Sequence, residues 1–329
     1  MANTMIKAKT EELLREIGID SLENSAYNLR ENGGCAGRMS TANINIENHP
    51  AEPGLLITVK AGTKGEKVYV PACVTEAGIS DRVMNEFIIG EDADIVIVAG
   101  CGVHSEGGEA LHSGNHIFRL AKNAKIEYLE KHIGTGKSDD KRIDTKTEFI
   151  LAEGAVVKMI SEQIGGVNNA HRDTLATLEA DALLSVSERL LTDGDDKVDT
   201  EFTVTMKGDN SRADISSRSV ARGNSHQSYI SRVEGNAICS GHTECDAILT
   251  ENGRVEAAPC LAANCPDAAL IHEAAIGKIA GEQITMLSHL LLTFRHRAGV
   301  RLYTASFDLA QPCVFVKQLP GPILCALLA

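Results

Sequence analysis

Tryptophan is absent from the 329 residues, and aromatic residues of all kinds make up only 4%. A core without large rings has to be filled by Ala, Val, Ile and Leu, which favours thin, repeated layers. Excess basic charge is missing too. The formal net charge is −13, and a chain with no basic stripe does not bind a phosphate backbone, so no nucleic-acid partner is expected. Residues 1–12 carry charges throughout and hold no apolar signal core, so neither a signal peptide nor a transmembrane span is readable there. The expectation is a cytoplasmic chain with no membrane partner. No two of the nine cysteines form a Cys-x-x-Cys pair, which argues against a zinc knuckle or a thioredoxin-like site. A disulfide framework is not expected in an unexported chain of this size. Cys35, Cys73, Cys101, Cys239, Cys245, Cys260, Cys265, Cys313 and Cys325 read mostly as buried free thiols, and any metal site has to be assembled from distant positions.

Between residues 5 and 31, Ile6, Leu13, Leu14, Ile17, Ile19, Leu22 and Leu29 recur among charges at helical spacing, interrupted at Gly18, which predicts one or two short helices. From about residue 41 the texture changes to short alternating runs such as Ile44-Asn45-Ile46 and Val68-Tyr69-Val70, which read as strands. A phrase then recurs: a Gly, Asn or Asp turn, an Ala, and an alternating run. Its alanines are Ala93, Ala124, Ala155, Ala182, Ala213 and Ala237, at steps of 31, 31, 27, 31 and 24 residues. Self-similarity at such a period marks a solenoid. An antiparallel sandwich with evenly spaced turns is the alternative. After residue 266, Ala268, Leu270, Ile271, Ala275 and Ile279 return to helical spacing. The expected layout is a helical region over 1–40, a β-helix core over 41–266 and a helical region with an atypical tail over 267–329.

The stretch Gly134-Thr135-Gly136-Lys137-Ser138 lacks the leading Gly and the strand-loop-helix context of a phosphate loop, so it reads as a solvated turn. Cys101, His104, His112 and His116 crowd into a Gly-rich segment and form a secondary zinc or iron candidate, although His112 and His116 are placed on different phases of a strand. The richest set of soft and borderline ligands runs from Cys239 through His242, Cys245, Cys260 and Cys265 to His272 and Glu273. Thiolate, imidazole and carboxylate together suit iron, and a mixture binds less tenaciously than four thiolates. Taken singly, each of these residues also has a plain reading as a core thiol or a helix-opening pair.

Four phrases, Ser217-Arg218-Ser219-Val220-Ala221-Arg222-Gly223, Ser228-Tyr229-Ile230-Ser231-Arg232, Cys245-Asp246-Ala247-Ile248-Leu249 and His272-Glu273-Ala274-Ala275-Ile276-Gly277-Lys278-Ile279, resemble in order and spacing the SufB/SufD family of iron-sulfur assembly proteins. The resemblance runs from Ala93 to Leu287. It implies a right-handed parallel β-helix with helical ends and a scaffold that takes up sulfur and iron, holds a transient iron-sulfur cluster and hands it on. No catalysis in the ordinary sense is implied. Cys245 matches the thiolate of the SufB branch, and His272 with Glu273 matches its His-Glu pair; these three are the implied cluster ligands, with Cys101, Cys260 and Cys265 as secondary candidates. The implied partners are a SufC-type ABC ATPase, sulfur donor and acceptor proteins, and a second chain in a homodimer or a SufB/SufD-type heterodimer. The chain departs from the family in its short N-terminal region and beyond about Ser288, which weakens ATPase docking most. A SufD-like partner that holds no cluster is the alternative within the family. A β-helix enzyme acting on polysaccharide is the alternative outside it, disfavoured by the absence of Trp and the presence of only five Tyr for glycan stacking.

Overall fold

The computed structural model describes residues 8–278. The chain divides after Gly277 into two units, and the first is a β-solenoid. Strands alternate between two sheets. One sheet runs in the order β19 (Ala269–Lys278), β17 (Ser240–Leu249), β15 (Arg212–Ala221), β13 (Leu183–Thr192), β11 (Val156–Ile164), β9 (Lys125–Thr135), β7 (Asp94–His104), β5 (Lys64–Val74), β1 (Ala26–Glu31), β2 (Gly34–Met39). The other runs β18 (Arg254–Ala263), β16 (His226–Gly235), β14 (Lys197–Met206), β12 (Asn169–Leu178), β10 (Lys141–Leu151), β8 (Ala110–Leu120), β6 (Ser80–Ile89), β4 (Gly54–Val59), β3 (Ile44–Asn48). Pairing between successive coils is parallel and in register, whereas the β1–β2 and β3–β4 pairs are antiparallel.

The recurring phrase has a backbone cause. Gly62, Asp92, Asn123, Gly154, Asp181 and Asn210 all have φ between 55° and 72°, the left-handed region that Gly, Asn and Asp tolerate best. The next residue starts the ladder to the following coil: the carbonyls of Thr63, Ala93, Ala124, Ala155, Ala182, Ser211 and Cys239 accept from Asp94, Lys125, Val156, Leu183, Arg212, Ser240 and Ala269. Small residues at this buried column let stacked turns approach. The column passes through Ser211 and Cys239, so the alanines expected as the fifth and sixth markers lie two residues away from it: Ala213 is inside β15 and Ala237 is in the bend between β16 and β17. Correctly aligned, the coils are 27 to 31 residues long.

Within the coils, alternate residues point inward. Phe87, Phe118 and Phe149 stack along the axis with ring centroids 4.4 and 5.0 Å apart. Among the described residues, Tyr128, Phe202 and Tyr229 join these three rings inside the solenoid.

Two expected boundaries differ. Helix α1 spans only Ala8–Glu16, and residues 26–39 form the β1–β2 hairpin rather than helix. The turn is Asn32-Gly33, both at positive φ (47° and 81°), the strongest short-range hairpin signal in any sequence. At the other end, the strands continue past residue 266: the segment from Ala269 to Lys278 is β19, because register on β17 overrides an apolar spacing that fits helix and strand alike. The expected helix beyond it lies outside the described residues. Leu13 of helix α1 and Ile17 just after it pack on the outer face of β7, where Gly102 and Gly100 leave room.

Candidate iron-sulfur assembly site

The third inward position of successive strands in the first sheet is polar: Glu130, Ser161, Glu188, Ser217 and Cys245 align in register across β9, β11, β13, β15 and β17. From the facing sheet, Arg172 on β12 reaches between the two glutamates, with Nη2 3.4 Å from Glu130 Oε2 and Nε 3.7 Å from Glu188 Oε1. Tyr128 donates to Glu130 at 2.9 Å, Ser217 donates to Glu188 at 2.6 Å, and Thr200 donates to Glu188 at 3.3 Å. Burial works to raise the Glu130 pKa, and the neighbouring His132 and Arg172 reverse it, holding the carboxyl well below the usual range. A buried charge needs this degree of pairing to persist. Sequence reasoning missed this lane. Its signal was a charged residue in phase with apolar ones: Glu130 with Ile126 and Tyr128, Glu188 with Val186 and Leu190.

Cys245 closes the lane and is 2% exposed. Burial pushes its thiol pKa up to about 12, with Glu188 and then Asp246 and Glu244 adding to the shift. His272 on β19 is half-buried, and its Nδ1 lies 2.7 Å from the Thr243 hydroxyl. Thr243 and Cys245 share the inward face of β17, so the thiol and the imidazole belong to the same side of adjacent strands. Glu273 does not join them: it is exposed on the other face, 3.9 Å from Nε2 of His242, whose Nδ1 is 2.9 Å from Asp214. Cys260 is exposed on β18, in register with the outward Arg232. Cys265 is half-buried in the turn before β19, and its amide donates to Gly235 O at 3.2 Å. Cys101 is far from this end, fully enclosed in β7 opposite His132, and burial holds its thiol pKa well above the ordinary value.

The Gly134–Ser138 segment ends β9 and enters a turn with no helix after it, unlike a phosphate loop. Among the described residues no helix is long and apolar enough to cross a membrane.

The fold is a parallel β-solenoid with one polar row in a largely apolar interior and several thiols on its last described coils, a class that includes both enzymes and proteins that are not enzymes. Residues 66–288 match the family described as SUF system FeS cluster assembly, SufBD core domain. A protein of Methanocaldococcus jannaschii, described as an iron-sulfur cluster assembly SufBD family protein, is 29% identical over 70% of this chain and 73% of its own length. Proteins with the same family description from Archaeoglobus fulgidus and Methanothermobacter thermautotrophicus are 32% and 25% identical over 68% and 75% of this chain, and each is matched over 60% of its own length. The chain belongs to the SufB/SufD family, whose members take part in iron-sulfur cluster assembly.

Proposed function

We propose that this chain is a cytoplasmic scaffold on which an iron-sulfur cluster is built and from which it is passed on, without being an enzyme itself. The observation that carries this reading is the concentration of Cys239, Cys245, Cys260, Cys265, His242, His272 and Glu273 on or beside the last three described strands. Those strands also leave Ile248, Leu261, Ile271 and Ile276 between 38% and 56% exposed, an apolar surface that a second copy of the chain, or a related one, would cover. Ligands from two chains would then share the cluster, and parting the chains would release it. The accessible donors are Cys260, Cys265 and Glu273, with the half-buried His272 hydrogen-bonded to the buried Thr243. Cys245 would serve once the end coil opens, because its thiol must first be exposed and deprotonated. A SufC-type ABC ATPase would supply that motion, and donor and acceptor proteins the sulfur and the outlet.

Burial of Cys245 favours one second reading, a SufD-like subunit that supports assembly and leaves the cluster to its partner. Anaerobic reconstitution with ferrous iron and sulfide separates them. The scaffold reading expects visible charge-transfer absorption in the parent chain that falls sharply in His272→Ala and in Cys260→Ala/Cys265→Ala, with Cys245→Ala reporting whether the inner thiol takes part. No absorption in the parent alone, but absorption in a mixed complex, would establish the SufD-like role.

A further inference from the structure

Toward the opposite end of the solenoid, His112 and His116 lie on the inward face of β8 with Gly114 between them. They share one phase, contrary to the sequence-based expectation, because a strand's side chains repeat every two residues. A Cβ on Gly114 would stand 2.9 Å from Nε2 of His116 and 3.3 Å from Nε2 of His112. Both nitrogens therefore lean over one glycine, around a gap that any side chain would fill.

The other ring nitrogens are held by the neighbouring strand. Register places Asp81 beside His112 and Asn85 beside His116. Nδ1 of His112 lies 3.1 Å from Asp81 Oδ2, and the same carboxylate is anchored by Arg30 at 2.8 Å. A carboxylate on Nδ1 keeps the proton there and leaves the Nε2 lone pair free, the arrangement that orients metal-binding imidazoles. Nδ1 of His116 is 3.4 Å from the Asn85 amide, and Asn85 Oδ1 is buried without a hydrogen-bond partner. A half-turn of that amide lets Oδ1 accept the His116 Nδ1 proton, and both rings then present free lone pairs to the same gap.

The same two histidines also line a cavity of about 20 Å³, together with Arg30, Asn85 and Cys101, which has room for one water beside the imidazoles. Asn28, Arg30 and Leu55 also line an adjoining cleft of about 370 Å³, which offers an access path. We propose that His112 and His116 form a binding site for a divalent first-row transition metal ion, separate from Cys245, His272 and Glu273. Among the described residues no three His, Cys, Asp or Glu side chains converge as a ligand set, so water completes the coordination. Two neutral imidazoles select borderline ions such as Fe²⁺, Co²⁺ or Zn²⁺ over Mg²⁺ and Ca²⁺, and so small a ligand set allows the ion to leave.

The test uses the full chain carrying Cys245→Ala, Cys260→Ala, Cys265→Ala and His272→Ala, which removes the end coil's accessible thiols together with its inner thiol and imidazole, so that failure here is distinguishable from failure of the scaffold reading. Co²⁺ is titrated anaerobically and followed by its visible absorption and by equilibrium dialysis, with circular dichroism melting to verify folding. The expected result is one Co²⁺ per chain, lost in both His116→Gln and Gly114→Ala and bound about tenfold or more weakly in Asp81→Asn. Gly114→Ala keeps every donor and closes only the gap, so it tests the site if the histidine variant fails to fold. No bound Co²⁺, or equal binding in the folded variants, would overturn the proposal and leave the gap to water.

Discussion

Seven cysteines lie within the described residues, and their surroundings divide them sharply. Cys35 and Cys260 are exposed, while Cys73, Cys101 and Cys245 are buried. Burial pushes the Cys73 and Cys245 thiols up to about 12. Since the thiolate is the reacting form, brief alkylation near pH 8 followed by peptide mass spectrometry is expected to label Cys35 and Cys260 first and Cys245, Cys73 and Cys101 only after denaturation. Rapid labelling of Cys245 in the folded chain would mean that the end coil opens readily. The buried lane makes a second prediction. Replacing Arg172 by Met strips the shared cation from Glu130 and Glu188 and is expected to cost ~3–5 kcal/mol, read as a fall in the urea midpoint. His132 makes a third. Burial lowers its pKa against the pull of Glu130, which lies 3.6 Å from its Nε2, while Arg172 and His112 assist the lowering. Its proton therefore binds more weakly in the folded than in the unfolded chain, so stability rises with pH up to about 6.5 and is flat above it. Denaturation midpoints across pH 5–7 are expected to show this slope reduced in His132→Gln.

Turns and helix α1 show how elements are placed by what a residue cannot do. Asn123 holds φ at 56° and its amide donates to Asp92 at 3.1 Å. Asn123→Ala is expected to lose roughly 1 kcal/mol through left-handed strain, whereas Asn123→Gly keeps the backbone and loses less. Equal effects in urea denaturation would mean that the side-chain ladder, rather than φ, matters at this turn. The same elements show what was legible beforehand. The strand pattern from residue 41 onward and the repeating turn phrase were readable because φ > 0 restricts the choice of residue so severely. The Asn32-Gly33 hairpin was readable too, but Leu22 and Leu29 happened to continue the helical spacing of Leu13 to Ile19. Between residues 267 and 278 the local pattern suits two periods, and only the neighbour β17 decides.

At the scale of the whole molecule, each coil of the described solenoid contacts chiefly the coils before and after it, so stability is passed along by neighbours. The central coils are enclosed on both sides, while β18 and β19 keep most of their side chains exposed. Hydrogen exchange is accordingly expected to be slowest in β9 to β13 and fastest in β18 and β19, with protection of the last two rising with concentration if a second copy docks there. Uniform protection along the chain would contradict this gradient.

From its sequence alone, the protein's coil period, its strand content, its SufB/SufD resemblance and the wealth of ligand-type residues after Cys239 were determined, since each is local or repeats along the chain. Tertiary structure alone decided which of these residues meet. Stacking in register makes neighbours of residues some 30 apart, aligning Glu130, Ser161, Glu188, Ser217 and Cys245 in one buried row and setting His112 beside Asp81. The strand's twofold alternation puts His272 on the inward face with Cys245 and turns Glu273 to the other, a separation that adjacency in sequence conceals.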